Sequence, residues 1–350
     1  MNMGQPIAIT LGDAAGIGPE IIAKAFRDAP DHTHDCFVAG DVATMRRAMR
    51  VVSTQQIVLP VVVIDTPVDA LRRPPGCVPV LQIGAGGEPV AFGRLSAQAG
   101  ALAGECVRWA AQAALRGEIA AMVTAPLNKE ALALAGEPHC RYPGHTEMLQ
   151  ALAARHAGVS LDAMPVRMML ANDELRVVLV SIHVALQAAI EAVTFDSVMQ
   201  TLRITHASLA AILGHAPRIA VAGLNPHAGE GGLFGREELE LIAPAISAAA
   251  ASGMNVSGPF APDTVFMRAR AKDGIAAEFD VVIAMYHDQG LIPVKYLGVD
   301  KGVNVTLGLP LLRTSPDHGT AFDLAGTGRA DASSLIAAIA MARQLGQPKL

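Results

Sequence analysis

The chain has 350 residues, 51% of them hydrophobic and 17% charged, with a net charge of −5. That length exceeds the size at which a single core keeps growing, so two domains are expected, and the Ala, Val and Gly content suits packed α/β layers. The mild acidity and the lack of a basic stripe exclude nucleic acid as an expected partner, and no apolar run reaches the ~18 residues of a membrane span.

The opening MNMGQPIAITLGD lacks a charged segment followed by a long apolar one, so no secretory signal is expected. A strand over Ile7–Leu11 leads through the glycine-rich turn Gly12–Glu20 into a helix that starts near Pro19. This turn matches neither a GxGxxG nor a Walker A pattern, so a structural turn and a ligand-contacting loop stay equally open. Strands follow at Cys36–Ala39, Ile57–Ile64 and Ala120–Thr124, with a long helix over Ala99–Leu115. Residues 66–96 are rich in Pro and Gly and read as a long loop with irregular strand pieces. The four cysteines, Cys36, Cys77, Cys106 and Cys140, have neither metal nor disulfide spacing, which points to a reducing, cytoplasmic setting.

The turn Arg141–Gly144 precedes a helix predicted over Glu147–His156, with Thr146 as its N-cap. Backbone N–H groups at such a start favour anions, and His145 and Thr146 offer donors to a carboxylate or hydroxyl.

Three apolar strands then each run into a histidine. Arg176–Ile182 leads to His183, Arg218–Leu224 to Asn225-Pro226-His227, and Asp280–Tyr286 to His287. Such runs read as buried strands of a parallel sheet, and ligands collect outside the carboxyl ends of those strands. One histidine there is an ordinary loop residue; three imidazoles at one rim can hold a divalent metal with positions open for substrate. Asp288 can orient the neighbouring imidazole or ligate directly. Helical stretches are predicted over Val184–Leu213, Glu237–Ser252 and the segment after Gly290, which carries Lys295.

A short strand, Val303–Leu307, holds Asn304, and Arg313 follows the apolar run Gly308-Leu309-Pro310-Leu311-Leu312. A guanidinium in that place can clamp a carboxylate or phosphate, or close an internal salt bridge. The small-residue turn Asp317–Asp323 could accommodate a nucleotide, and a helix over Ala332–Leu345 ends the pattern. Alternating strands and helices imply βαβ units. One α/β domain is expected from residues 1–135 plus 305–350, and a second from 136–304, with the chemistry in a cleft between them. No Gly-x-Ser-x-Gly or other nucleophile system is present.

The stretches YPGHTE, GLNPHAGEGG, AMYHDQG, GVNVTLGLP and RTSPDHGTAFDLAG, in this order, resemble the 4-hydroxythreonine-4-phosphate dehydrogenase family over nearly the whole chain. The resemblance implies two α/β/α domains similar to isocitrate and isopropylmalate dehydrogenases, an interdomain cleft and a homodimer. It implies His183, His227 and His287 as ligands of a divalent metal (zinc, cobalt, magnesium or manganese) in a site shared across the dimer interface. It assigns substrate contacts to His145, Thr146, Lys295, Asn304 and Arg313. Proton handling falls to Lys295, with His145 and Asp288 as further candidates. His318, Gly319, Thr320, Ala321 and Asp323 would hold the adenosine half of NAD, or of NADP.

The implied reaction oxidises 4-(phosphooxy)-L-threonine and releases carbon dioxide, giving 3-amino-2-oxopropyl phosphate. A paralogous branch acts on D-threonate or D-erythronate 4-phosphate and yields dihydroxyacetone phosphate, and a third oxidises aromatic cis-dihydrodiols. The run Ala125–Leu132 together with YPGHTE looks closer to the sugar-acid branch, whereas the Lys295, Asn304 and Arg313 set speaks against the third. Two departures stand out: Ala14 occupies a position where the family has proline, and a short insertion around Glu137–Cys140 precedes YPGHTE.

Overall fold

Short runs of β-branched and small apolar residues alternate with alanine-rich helices, and this alternation builds a parallel α/β framework. The structure, a computed structural model, describes residues 4–53, 59–272, 274–298 and 301–346. The strands are β1 (Ile7–Thr10), β2 (Cys36–Gly40), β3 (Val61–Ile64), β4 (Val78–Gln82), β5 (Ala121–Thr124), β6 (Arg167–Ala171), β7 (Arg176–Leu179), β8 (Ile219–Ala222), β9 (Val256–Phe260), β10 (Val281–Ala284), β11 (Val303–Leu307) and β12 (Arg313–Pro316). Of the strand expected at Ile57–Ile64, residues 57 and 58 lie outside the described residues. The chain divides into two compact units, residues 4–165 with 309–346, and residues 166–308.

In the first unit the order β3-β4-β2-β1-β5-β12 is parallel throughout. Strands β1, β2 and β5 are buried along their whole length, as the lack of polar alternation in their sequences predicts. The segment 136–165, expected in the second unit, belongs to the first. The reason is close helix packing beneath it. A Cβ on Gly100 would lie 2.0 Å from the Ala131 carbonyl oxygen, and one on Gly104 would lie 2.4 Å from His139 Nδ1. These two glycines let the helix Ala97–Leu115 accept both the short helix Lys129–Leu134 and the buried His139. Strand β4 lies inside the stretch expected to be irregular; it is buried between β2 and β3 despite its flanking prolines and glycines.

In the second unit β11, β6 and β7 pair antiparallel, and β7, β10, β8 and β9 then continue in parallel. Its core gathers Leu170, Val177, Leu179, Ala220, Val282 and Leu291. The helix His287–Tyr296 rests directly on the sheet, because a Cβ on Gly290 would meet Leu179 Cδ2 at 2.5 Å and Val177 Cγ1 at 2.8 Å. The stretch Val184–Leu213, predicted as one helix, is two: Leu186–Glu191 and Phe195–Leu213. Thr194 separates them with a capping box to Ser197. Among the described residues no helix is long and apolar enough to cross a membrane, and the four cysteines are unpaired.

Candidate active site

The three histidine-tipped strands are neighbours in the order β7-β10-β8, so sequence patterning and strand pairing bring their carboxyl ends to one rim of the second unit. The loops leaving β7 and β10 are tied together. Val180 N–H donates to the Ala284 carbonyl at 2.9 Å, and Ser181 Oγ donates to that of Met285 at 3.0 Å. The rings of His183 and His287 consequently stand 5.5 Å apart, centre to centre. Asp288 Oδ1 lies 2.7 Å from His287 Nδ1, a contact that restrains the ring through that nitrogen. Gln289 links β10 to β8, accepting from Met285 N–H and donating to the Gly223 carbonyl, each at 2.7 Å.

His227 departs from the expectation of a three-histidine cluster within the chain. Its loop winds through left-handed backbone at His227, Ala228 and Glu230 (φ 53°, 52° and 43°), and its ring centre lies 6.2 Å from that of Phe234. Among the described residues no group of three His, Cys, Asp or Glu side chains is close enough to hold a metal ion. The loop is held by Glu238, a residue not singled out in the sequence. Its buried carboxylate accepts the N–H groups of Leu224 and Asn225 at 2.7 Å each, and Asn225 Nδ2 at 3.0 Å. The donor chemistry of His183 and His287, with Asp288 behind the latter, suits two ligands of a divalent metal. Lys295 lies in the last turn of the helix that His287 begins, and Asn304 lies on β11.

A second cluster is built on the first unit. Register places Arg313 opposite Met122, and its side chain reaches forward to Thr124 at the end of β5. The guanidinium is buried and donates through Nε (3.0 Å) and Nη2 (2.7 Å) to Thr124 Oγ1. Burial lowers its pKa to about 10, against the opposing pull of the Glu147 carboxylate. The helix expected at Glu147–His156 begins two residues earlier and spans His145–Ala157. Gly144 takes the cap position with no side-chain cap, and Thr146 therefore sits inside the first turn rather than capping it. His145 is half-buried as a residue, yet its Nε2 is enclosed and has no hydrogen-bond partner. Burial first, then the nearby charges of Arg313 and Lys129, hold its pKa well below the ordinary imidazole value. An imidazole in that state is neutral at pH 7 and can give or accept one hydrogen bond to a ligand. Lys129, part of the run Ala125–Leu132 but with no role expected of it from the sequence, borders the same place. A Cβ built on Gly144 would lie 3.3 Å from Glu147 Oε2, 3.4 Å from Lys129 Cε and 4.0 Å from its Nζ.

The segment after β12 lies on the first glycine-rich turn. Ile17 N–H donates to the Thr320 carbonyl at 3.0 Å, and a Cβ on Gly16 would come within 2.8 Å of the same oxygen. Ala321 is left-handed (φ 38°), His318, Gly319 and Asp323 are exposed, and nothing lies within 4 Å of a Cβ on Gly319. Such an open, small-residue edge beside a strand-to-helix turn fits a nucleotide. Asp13 braces the turn from inside, its Oδ1 accepting Ala15 N–H at 2.8 Å. Arg47 braces it from outside: it donates to the Ala14 carbonyl at 3.1 Å and to that of Val90, and stacks 3.8 Å over the Phe92 ring.

Residues 32–342 match the family model described as pyridoxal phosphate biosynthetic protein PdxA. A 4-hydroxythreonine-4-phosphate dehydrogenase of Beijerinckia indica is 49% identical over 99% of this chain and 96% of its own length. A D-threonate 4-phosphate dehydrogenase of Salmonella typhimurium is 45% identical over 97% and 99%. The crystal structure of 4-hydroxythreonine-4-phosphate dehydrogenase from Klebsiella pneumoniae is 40% identical, covers 99% of this chain and 100% of its own, and superposes with a TM-score of 0.86. With dehydrogenases matching it nearly end to end, the chain is an oxidoreductase acting on a CH–OH group and belongs to the pyridoxal phosphate biosynthetic protein PdxA family.

Proposed function

We propose that the protein oxidises 4-(phosphooxy)-L-threonine with NAD and releases carbon dioxide, giving 3-amino-2-oxopropyl phosphate. The observation that carries this reading is the enclosed, unpartnered Nε2 of a neutral His145 beside the buried Arg313, a pairing that suits an anionic substrate end. His145, Thr146, Lys295, Asn304 and Arg313 are the residues that bind the substrate. Lys295 takes the proton of the reacting hydroxyl, with Asp288 steadying His287 behind it. His318, Gly319, Thr320, Ala321 and Asp323 would hold the adenosine half of NAD, which would supply the hydride acceptor. A divalent metal (zinc, cobalt, magnesium or manganese), when held by His183, His287 and a third imidazole, supplies Lewis acidity to the substrate oxygen.

The active form we propose is a cytoplasmic homodimer. His227 of a single chain stands apart from His183 and His287, as it would if the third ligand came from a second copy. Apolar side chains exposed beside His183 (Ile182, Val184, Leu186, Ile190 and Phe195) suit burial in that contact. The 45% identical D-threonate 4-phosphate dehydrogenase favours a second reading, oxidation of D-threonate or D-erythronate 4-phosphate. Formation of reduced nicotinamide with each phosphorylated acid in turn, in the presence of divalent metal, tests both. Preference for the amino acid supports the first reading, preference for a sugar acid replaces it with the second, and turnover of none removes both.

A further inference from the structure

Three positively charged or hydrogen-bonding groups of the first unit converge at the start of the helix His145–Ala157, and only two of them belong to the substrate contacts proposed above. Arg313 is buried on Thr124, and His145 presents its enclosed Nε2. Lys129 is the third. It begins the short helix Lys129–Leu134, where Asn128 caps the first turn by accepting Ala131 N–H at 2.9 Å, and this cap fixes where the lysine emerges. Its aliphatic end runs along the bare face of Gly144, whose φ of 178° is extended backbone open to any residue. A Cβ there would touch the ends of both Lys129 and Glu147, at 3.4 Å from Cε and 3.3 Å from Oε2, which places the two side chains side by side over Gly144. Among the described residues no hydrogen bond or ion pair holds Lys129 Nζ, although it is near enough to influence the His145 imidazole.

We propose that Lys129 is a specificity-determining residue that, with Arg313 and His145, binds the phosphoryl group of the substrate. This rests on the reading that the substrate is a phosphorylated hydroxy acid. The number of donors favours a phosphoryl group over a carboxylate. An ammonium carries three N–H groups, and to these are added a guanidinium, one imidazole nitrogen and the uncapped amides of the first helical turn. A carboxylate offers two oxygens, a phosphoryl group three and a larger negative charge. Glu147 is the carboxylate that opposes them at this place, so Lys129 and Arg313 leave the pocket positive before any substrate arrives. Lysine acts there as a mobile point charge, whereas Arg313 is locked by its bonds to Thr124.

Wild-type protein is compared with K129M and K129R. The readouts are kcat, the KM for the phosphorylated acid, the KM for dinucleotide, and the binding of inorganic phosphate by calorimetry without dinucleotide. Losing one charge-assisted contact should raise the substrate KM and the phosphate Kd of K129M roughly tenfold or more. Its kcat and dinucleotide KM should stay within about threefold of wild type, and K129R should recover most of the loss. In K129M the His145 ring, followed by NMR, should also protonate at higher pH than in wild type, because one repelling charge is gone. Unchanged phosphate binding and substrate KM in K129M overturn the proposal, as does a wild-type protein that binds no phosphate. A raised substrate KM with unchanged phosphate binding overturns it too, since the lysine would then face another part of the substrate. Because calorimetry needs no turnover, phosphate binding that depends on Lys129 in a protein inactive on every phosphorylated acid would remove the proposed function and leave the anion site standing.

Discussion

Arg313 donates twice to a single oxygen, Thr124 Oγ1, at 3.0 and 2.7 Å, and through that bond β12 is joined to the end of β5 by side chains as well as by its ladder. This hydroxyl helps to orient the buried guanidinium. Thr124→Val keeps the shape and removes the acceptor. Hydrogen bonds to charged groups contribute about 1.5–3 kcal/mol, so unfolding by denaturant should show a loss in that range. The substrate KM should rise with it, and Thr124→Ser should restore most of both.

His145 gives a pH prediction. Its folded pKa is depressed while the unfolded chain titrates near the ordinary 6.5. As pH falls below that value the unfolded state binds the proton first, so stability declines with acidification and levels off below the folded pKa. One such proton contributes a slope of at most about 1.4 kcal/mol per pH unit. His145→Gln should flatten the stability profile between about pH 5 and 7, measured as denaturation midpoints across that range. An equally steep profile in the variant would assign the slope to other groups.

Glu238 holds the His227 loop through two backbone amides and the Asn225 side chain. Its conversion to Gln exchanges a charged acceptor for a neutral one and leaves the left-handed residues 227, 228 and 230 less restrained. The expected results are faster amide exchange confined to residues 224–232 and a stability loss of about 1–3 kcal/mol. Activity should fall by more than the stability change explains, since His227 moves with the loop.

Arg47 fastens the Gly-rich segment ending at Val90 to the first turn at Ala14. Arg47→Met should raise the Kd for NADH, read by its fluorescence, roughly tenfold, while the phosphate Kd stays near the wild-type value. Equal weakening of both would mean general unfolding of the unit.

Metal binding divides the histidines. His183→Ala and His287→Ala should each lower affinity for zinc or cobalt by at least about tenfold, the latter as much as the former because Asp288 orients it. If His227 is contributed from a second copy, His227→Ala should do the same only under conditions where the protein is dimeric, which sedimentation at matched concentrations will report.

The parallel framework is legible because β1, β2, β5, β7, β8 and β10 are short, predominantly apolar runs without polar alternation, and each histidine that follows β7, β8 or β10 inherits its place from the strand. Strand β6 escaped notice because it turns back on β7 in an antiparallel hairpin, whose tight link depends on Asn172 Oδ1 accepting the N–H groups of Glu174 and Leu175. Strand β9 contains Gly258 and Pro259, residues tolerated there because it borders only β8 within its unit. Arg313 was recognised as an unusual charge, but that it sits on a strand beside Thr124 is a matter of register. A role for Lys129 within the run Ala125–Leu132 is illegible in the sequence for a related reason. Its side chain lies against Gly144, fifteen residues away along the chain, a neighbourhood that only the fold creates.

The most direct measurement counts reduced nicotinamide and carbon dioxide released in one reaction, with the phosphorylated acid, NAD and divalent metal supplied to purified protein. The expected result is one carbon dioxide for each dinucleotide reduced, with turnover largely lost when the substrate lacks its phosphate. Carbon dioxide without reduced dinucleotide, or no reaction with any of the phosphorylated acids, would contradict the assignment.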